Sequence, residues 1–120
     1  MNSFRWSCVA LLLFVLAVRT SYAHHAIAIE HDTKRTLDLS GVIKETDWNN
    51  PHAFLRLDVS GRTWLVTLAA PSALNRRGVD RSTLVVGKNL SVVGFPNKVQ
   101  DEVYAQKITI EGKTFEFFSR

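Results

Sequence analysis

The sequence is poor in cysteine: its 120 residues include one, Cys8, close to the start of the chain. Cys8 precedes the apolar run at residues 9–18, so it cannot be the acylated cysteine of a lipoprotein, which follows such a run. If the chain is cut after Ala23, no cysteine remains. Disulfides and thiolate metal sites are then excluded from the mature protein, although an oxidising compartment would permit disulfides.

Apolar runs of membrane-spanning length are also missing. The run VALLLFVLAV at residues 9–18 has ten residues, whereas about 20 are needed to cross a bilayer. With Arg5 ahead of it and the small residues of SYA at 21–23 behind it, the run is typical of a secretory signal peptide. The sequence predicts cleavage after Ala23, and an uncleaved anchor or a later cut at Ala28 are the alternatives.

A large charge excess is absent as well. The chain has 15 Lys and Arg against 11 Asp and Glu, and loss of Arg5 and Arg19 with the signal peptide leaves 13 against 11. This balance gives no reason to expect nucleic acid as a ligand. The remaining 97 residues fit one domain with a modest core. We therefore expect a periplasmic or secreted protein with no stable membrane span after cleavage.

Alternating apolar residues bounded by Gly, Pro and Asn predict short strands throughout the mature chain. The clearest case is a hairpin at residues 53–69 that turns at Ser60-Gly61. This register opposes Leu57 to Trp64 and Leu55 to Val66 on an apolar face, which we assign to the core. The opposite face is mixed, and we expect it to face solvent.

The other predicted elements complete a small barrel. A long strand at 36–48 carries Gly41, which suggests a bulge or a sharp bend. A short helix follows at 71–77, with Ser72 as its cap and Gly78 at its end. Further strands are predicted at 89–95, 104–110 and 114–118. The predicted fold is all-β, a five- to six-stranded OB-like barrel with one short helix, and a small open sandwich is the alternative. The predicted organisation is a signal peptide at 1–23, an extended segment at 24–35 and the barrel at 36–120.

Enzyme signatures are missing from the sequence. No serine stands in a nucleophile-elbow context, and there is neither a glycine-rich phosphate loop nor a carboxylate pair that flanks a cleft. Whether the protein is an enzyme stays uncertain, and the sequence leans against it. A copper redox enzyme is a third hypothesis, but a chain of this size leaves little area for a substrate groove.

Histidine is the chemistry-bearing residue that the sequence does contain. All four histidines, His24, His25, His31 and His52, lie in the first 29 residues of the mature chain. Cleavage after Ala23 would make His24 the N-terminus, where its amine, with a pKa of about 8, and its ring can chelate one ion. His52 is the best third nitrogen, with His25 or His31 as substitutes, and a tetragonal set of nitrogens favours Cu(II). The alternative is that the terminal histidines are solvated.

The stretch WNNPH at 48–52 also permits two interpretations. It occupies the first inter-strand loop, where OB barrels usually bind ligands, and it presents Trp48, Asn49, Asn50 and His52 together. The structural alternative is that Pro51 fixes an extended Asn50 and that Trp48 closes one end of the barrel. A basic cluster, Arg76, Arg77 and Arg81, is explained by a helix end or by an anion site.

Several segments resemble an uncharacterised family of small exported bacterial proteins. They are AHHA at 23–26, WNNPHA at 48–53, SALNRRG at 72–78 and VGKNLSVVGFP at 86–96. The family has the patterns A-H-H-S, W-x-N-P-H-A and A-L-x-R-R-G, and the resemblance implies a small exported β-barrel of unknown function. The chain departs from the pattern at Ala26, where Ser is usual, and at His31, where an aromatic residue is usual. The departure makes His31 a poor candidate for a shared function. The matching residues are His24, His25, Asp32, Trp48, Asn50, Pro51, His52, Arg76, Arg77 and Gly78.

Two hypotheses on function follow. The first is an exported, non-enzymatic binding protein that holds copper through His24 and His52, with His25, Asp32 and Asn50 in support. The second is an accessory module without metal, which docks another periplasmic protein through Trp48, Phe54 and the outer face of the hairpin. The ligand or partner is not identified by the sequence.

Overall fold

The computed structural model describes residue 27 and residues 30–117. The predicted signal peptide and the histidines His24 and His25 lie outside these residues. Ile27 and Glu30 have helical backbone, so the segment predicted as extended is helical at these two positions. Among the described residues, no helix combines the length and the apolarity that a bilayer crossing requires. The barrel belongs to a compact unit that begins at His31.

Six strands and one short helix make up residues 37–116. The strands are β1 (Leu37–Trp48), β2 (Ala53–Val59), β3 (Arg62–Thr67), β4 (Asn89–Pro96), β5 (Glu102–Ile110) and β6 (Lys113–Glu116), and the helix α1 (Pro71–Arg76) follows β3. Each predicted element is present, with bounds that differ by a few residues at most. Phe118, the predicted end of β6, lies outside the described residues.

The sheet closes on itself as a barrel. Its strand order is β3-β2-β1-β4-β5-β6, and β3 also pairs with β5 in parallel through Leu65 and Glu102, Val66 and Val103, and Thr67 and Tyr104. The ring therefore contains five strands, and β6 extends it from β5. Closure leaves fewer open strand edges, which matters for a domain with so small a core. The prediction of a small OB-like barrel with one short helix is confirmed.

The β2–β3 hairpin has the predicted register. Leu57 opposes Trp64 and Leu55 opposes Val66, and the turn residues Ser60 and Gly61 both have positive φ, as a two-residue hairpin turn requires. The apolar face forms part of the core. The buried apolar residues are Leu39, Ile43, Ala53, Leu55, Leu57, Val66, Leu68, Leu74, Val79, Leu84, Leu90, Val92, Val103, Ala105, Ile108, Ile110 and Phe117.

The opposite face of the hairpin is not uniformly wet, contrary to prediction. Thr67 lies on that face and is only 5% exposed. The reason is that β5 runs beside β3, so the Thr67 hydroxyl donates a hydrogen bond to Glu102 Oε1 at 3.0 Å. The pairing of β3 with β5 thus covers part of the outer face of the hairpin, although Thr67 and Glu102 are 35 residues apart in the sequence.

Gly41 marks the point where β1 changes partners. Residues 37–42 pair with β4, and residues 42–48 pair with β2. A Cβ at Gly41 would lie 2.1 Å from the carbonyl oxygen of Asp58, so no larger residue fits there without a shift of the backbone. The expected bend is therefore explained by close strand approach, whereas the register shift of β1 falls between Ile43 and Glu45.

Helix α1 differs from the prediction at its start. Ala70 is the N-cap, no side chain caps the helix, and Pro71 occupies the first turn. The prediction that Ser72 caps the helix is wrong, because Pro71 suits the first helical position and places Ser72 inside the helix. The buried Leu74 fixes α1 to the barrel, and Gly78, with φ 84°, ends the segment.

Candidate functional site

The β1–β2 loop presents the WNNPH residues in different environments. Trp48 is half-buried and packs against the core, as the structural interpretation predicts. Asn49 is exposed, and its amide nitrogen donates to Asp47 Oδ1 at 2.6 Å. Asn50 is exposed too, and the bond between Asn50 and Pro51 is cis. Of these two exposed amides, that of Asn49 is bonded to Asp47, and that of Asn50 lines a cleft together with the half-buried indole of Trp48.

His52 is held in one tautomer. Its ring is partly buried, and Nδ1 lies 3.1 Å from the carbonyl oxygen of Leu68. A carbonyl oxygen only accepts hydrogen bonds, so Nδ1 carries the hydrogen and the lone pair of the neutral ring is on Nε2. Metal-binding histidines are commonly oriented by such a bond between the other ring nitrogen and a backbone carbonyl. A metal bound by His52 would therefore be coordinated through Nε2.

Tyr104 lies between two histidines. Its ring makes edge contacts with His52, at 5.8 Å between centroids, and with His31, at 5.6 Å. Burial raises the pKa of the Tyr104 phenol above its usual value of 10.0. The centres of the His31 and His52 rings are therefore separated by at most the sum of these two distances. The two histidines come from separate segments of the sequence.

His31 is the residue whose position the sequence does not indicate. It pairs with Asn97 through an isolated antiparallel bridge, and it is 3% exposed. Its Nε2 lies 3.4 Å from Glu102 Oε1, yet within the described part of the chain neither ring nitrogen has a hydrogen-bond partner. Glu102 Oε2 also accepts a bond from Asn97 Nδ2 at 3.2 Å. His31 thus fastens the segment ahead of β1 to the start of β5.

Asp32 has a local structural role. Its Oδ1 accepts a hydrogen bond from the backbone N–H of Lys34 at 3.1 Å, and its own N–H donates to the Pro96 carbonyl at 2.9 Å. The first bond lies within the turn that leads into β1, and the second joins this turn to the end of β4. The carboxylate is directed at the backbone of its own turn.

No set of three or more His, Cys, Asp or Glu side chains within residues 30–117 is arranged to hold a metal ion. His31 and His52 flank Tyr104 and do not converge on one point with a third such group. The other ligands predicted from the sequence are His24 and His25. Those two histidines are outside the described residues.

An open cleft lies between the β1–β2 loop and α1. Its volume is about 470 Å³, and the guanidinium carbon of Arg81 lies 5.7 Å from the centre of the Trp48 ring. Asn75, Asp80 and Ser82 line this cleft and were missed as site residues, because nothing local in the sequence brings the turn after α1 to the β1–β2 loop. The complete lining is Trp48, Asn50, Pro71, Asn75, Asp80, Arg81 and Ser82.

A second depression crosses the outer face of β1, β2 and β3. Its volume is about 230 Å³, and the half-buried side chains of Phe54 and Leu65 contribute apolar surface to it. Polar residues of β1 and β2 surround them, including Glu45 and Arg56, which form an exposed ion pair at 3.3 Å. This groove is the outer hairpin face for which the sequence predicted a partner.

The three arginines of the basic cluster, Arg76, Arg77 and Arg81, lie in three different environments. The Arg77 guanidinium donates to the carbonyl oxygens of Glu116 and Phe117, so it ties α1 to the end of β6. Arg76 is exposed in the last turn of α1. Arg81 stacks on Trp48 in the cleft. One arginine is therefore structural, one is a surface residue and one belongs to a candidate site.

The closed five-stranded ring defines the chain as a small OB-type barrel protein. Residues 12–113 match the model of a family of unknown function, DUF6152, and the chain belongs to that family. The resemblance to an uncharacterised family, stated from the sequence, is thereby confirmed. A comparison with curated proteins gives no significant match.

Solved structures with a similar fold include a ZRD-deleted mutant of TiaS in complex with agmatine, at a TM-score of 0.53 and 23% identity over 69% of this chain and 26% of that one. Yeast Stn1 and Ten1 match at a TM-score of 0.53 and 17% identity, over 65% of this chain and 43% of that one. A complex of TiaS with a transfer RNA and ATP matches at 0.50 and 24%, over 63% and 18%. In each case this chain spans less than half of the matched chain, and the likeness shows the fold alone.

Proposed function

We propose that the mature chain is an exported, periplasmic binding protein that holds Cu(II) through the amine and ring of an N-terminal His24 and through His52. The observation that carries this proposal is the bond from His52 Nδ1 to the Leu68 carbonyl, which leaves the Nε2 lone pair for a metal. The near balance of charges in the mature chain, 13 basic against 11 acidic, supports a small or protein ligand in preference to nucleic acid.

The reach of the chain supports the same ligand set. His31 is anchored at Asn97 and Glu102, and its ring shares Tyr104 with the ring of His52. His24 precedes His31 by seven residues, which span about 24 Å if fully extended and less where the backbone is helical, as at Ile27 and Glu30. His52 is well within that radius of the anchor. The proposal requires that the nitrogens of an N-terminal His24 meet Nε2 of His52.

The donor set favours one metal. An amine and two imidazoles are three nitrogen ligands, and Cu(II) binds such sets most tightly among the divalent first-row ions. His25 is the substitute ligand from the same segment. Asp32 and Asn50 make weaker candidates than the sequence suggested, because Asp32 is bonded within its turn and Asn50 lines the separate cleft.

The test starts from processed protein whose mass shows that it begins at His24. Titration with Cu(II), followed by electron paramagnetic resonance, is expected to give an axial spectrum with coupling to three nitrogens. His52→Ala should remove one nitrogen and weaken binding, while His31→Phe, which leaves both proposed ligands in place, serves as the matched control. An unchanged spectrum after a methionine is added ahead of His24 would contradict the terminal chelate.

A second function is favoured by the groove at Phe54 and Leu65. Half-exposed apolar side chains bordered by Glu45 and Arg56 form a surface suited to a segment of another exported protein. Under this proposal Phe54→Ala abolishes co-purification of a defined periplasmic partner, and a chelator has no effect. Trp48→Ala is the poorer probe, because Trp48 packs against the core. Loss of the partner on chelation alone would favour copper instead.

A further inference from the structure

We propose that the cleft between the β1–β2 loop and α1 binds a small, polar organic molecule that carries one carboxylate group. Its volume of about 470 Å³ falls in the range of about 300–1,000 Å³ usual for small-molecule sites. The lining comes from three separate segments, the end of β1 with its loop, α1, and the turn at residues 80–82. This site is distinct from the proposed copper ligands, because His52 does not line the cleft.

Arg81 supplies the anion-binding group. Its guanidinium makes a cation–π contact with Trp48 at 5.7 Å from the ring centre, and Trp48 also packs against the core. A guanidinium carries five N–H donors in a planar fork that matches the two oxygens of a carboxylate. Within residues 30–117, no carboxylate lies at ion-pair distance from Arg81. The positive charge in the cleft therefore lies beside the indole of Trp48 and forms no ion pair within the described chain.

Asp80 restricts the charge of the ligand. Its Oδ1 accepts bonds from the backbone N–H and the hydroxyl of Ser82, at 2.8 and 2.5 Å, and from Thr83. These bonds lower the pKa of Asp80 and fix the turn that presents Arg81. The cleft thus carries one positive and one negative protein charge. A carboxylate, with a single charge, suits it better than a phosphate monoester, whose charge near pH 7 approaches two.

Two amide side chains in the cleft favour a ligand that carries hydroxyl groups beside its carboxylate. Asn50 and Asn75 are exposed in the cleft, and in the described part of the chain neither side-chain amide is bonded to protein. Each can donate to and accept from hydroxyl groups. Together with the volume of the cleft, they favour a polyhydroxylated carboxylate of about the size of a sugar acid.

The experiment compares three probes of one shape on metal-free, processed protein. Glucuronate, glucose and glucose 6-phosphate differ only at carbon 6. This carbon belongs to a carboxylate, a hydroxymethyl group and a phosphorylated hydroxymethyl group, respectively. Glucuronate is expected to shift the indole N–H resonance of Trp48 and the amide resonances of Asn50 and Asn75 in a saturable manner. Absence of a saturable shift with glucuronate overturns the proposal, and so does equal binding of glucose. Tighter binding of glucose 6-phosphate overturns the assignment of a carboxylate.

A pair of arginine variants locates the site. Arg81→Gln is expected to weaken glucuronate binding by about tenfold or more, because a charge-assisted pair of hydrogen bonds is lost. Arg76→Gln removes an exposed arginine that does not line the cleft, so it should leave the affinity unchanged. Arg81→Lys keeps the charge but not the planar fork and should fall between the two. Equal weakening by Arg76→Gln and Arg81→Gln would show a general charge effect and overturn the site.

Discussion

Glu102 Oε1 lies 3.4 Å from His31 Nε2 and accepts the hydroxyl bond of Thr67 at 3.0 Å. One carboxylate thus connects the segment ahead of β1, β3 and the start of β5. Both ring nitrogens of His31 are buried and lack hydrogen bonds in the described structure. The bridge to Asn97, the edge contact with Tyr104 and the approach to Glu102 hold His31 in place. No hydrogen bond offsets the burial of the two ring nitrogens in the described structure.

Substitution of His31 by Phe and by Ala separates ring packing from ring polarity. His31→Phe keeps the aromatic contact with Tyr104 and removes two unsatisfied nitrogens, so we expect the free energy of unfolding to rise by about 1 kcal/mol. His31→Ala leaves a cavity and should lower it by about 2–4 kcal/mol. Urea unfolding of both variants measures the difference. Equal losses in the two would mean that the nitrogens make bonds essential to stability.

Tyr104 gives a pH-dependent signal that is simple to measure. It is one of two tyrosines in the chain, and the other, Tyr22, belongs to the predicted signal peptide. Burial raises the pKa of Tyr104 above 10.0, so absorbance of the mature protein at alkaline pH should titrate with a midpoint above that value.

The same shift has a consequence for stability. The folded protein holds the phenol proton more tightly than the unfolded chain does. The stability that results is complete below about pH 10 and is lost as the pH rises through the pKa of Tyr104 in the folded protein. Tyr104→Phe should therefore lose less stability than the wild type between neutral and strongly alkaline pH. A phenol midpoint at or below about 10 would contradict the burial of Tyr104.

Close strand approach at Gly41 predicts a large effect of a single methyl group. A Cβ would lie 2.1 Å from the Asp58 carbonyl oxygen, and backbone atoms cannot move aside cheaply. We expect Gly41→Ala to lower the free energy of unfolding by about 1–3 kcal/mol or more. Ser40→Ala, at the exposed neighbouring position, is the control and should change stability far less. Similar stability of the two variants would place the bend of β1 elsewhere.

Local pattern was sufficient for much of the fold. The register of β2 and β3 follows from alternation and from the Ser60-Gly61 turn, because adjacent strands joined by two residues have few alternatives. A closed OB-like barrel was predicted from the number of strands and from the bend expected at Gly41. The Ser72 cap failed since Pro71 at the first helical position already starts the helix.

The site was harder to predict because it depends on contacts between distant segments. Thr67 is buried by Glu102, 35 residues away, and His31 is covered through a bridge to Asn97. Arg81 meets Trp48 only after α1 has turned the chain back. The alternation of apolar and polar residues within one segment does not predict these contacts with distant segments. His52 was predicted as a ligand from its loop, and its tautomer is defined by the carbonyl of Leu68, just beyond the end of β3.

Arg77 and Arg76 provide a last comparison, between a structural arginine and a surface one. The Arg77 guanidinium donates to the carbonyl oxygens of Glu116 and Phe117, which satisfies acceptors at the end of β6. Because the site is partly exposed, we expect Arg77→Ala to lower the free energy of unfolding by about 1 kcal/mol, and Arg76→Ala to leave it nearly unchanged. Amide hydrogen exchange gives a more local measure. The β6 amides should exchange faster in Arg77→Ala than in Arg76→Ala, since the end of the strand is no longer held to α1. Equal exchange in the two variants would mean that β5 alone holds β6, and that the contacts of Arg77 contribute nothing to the order of this edge.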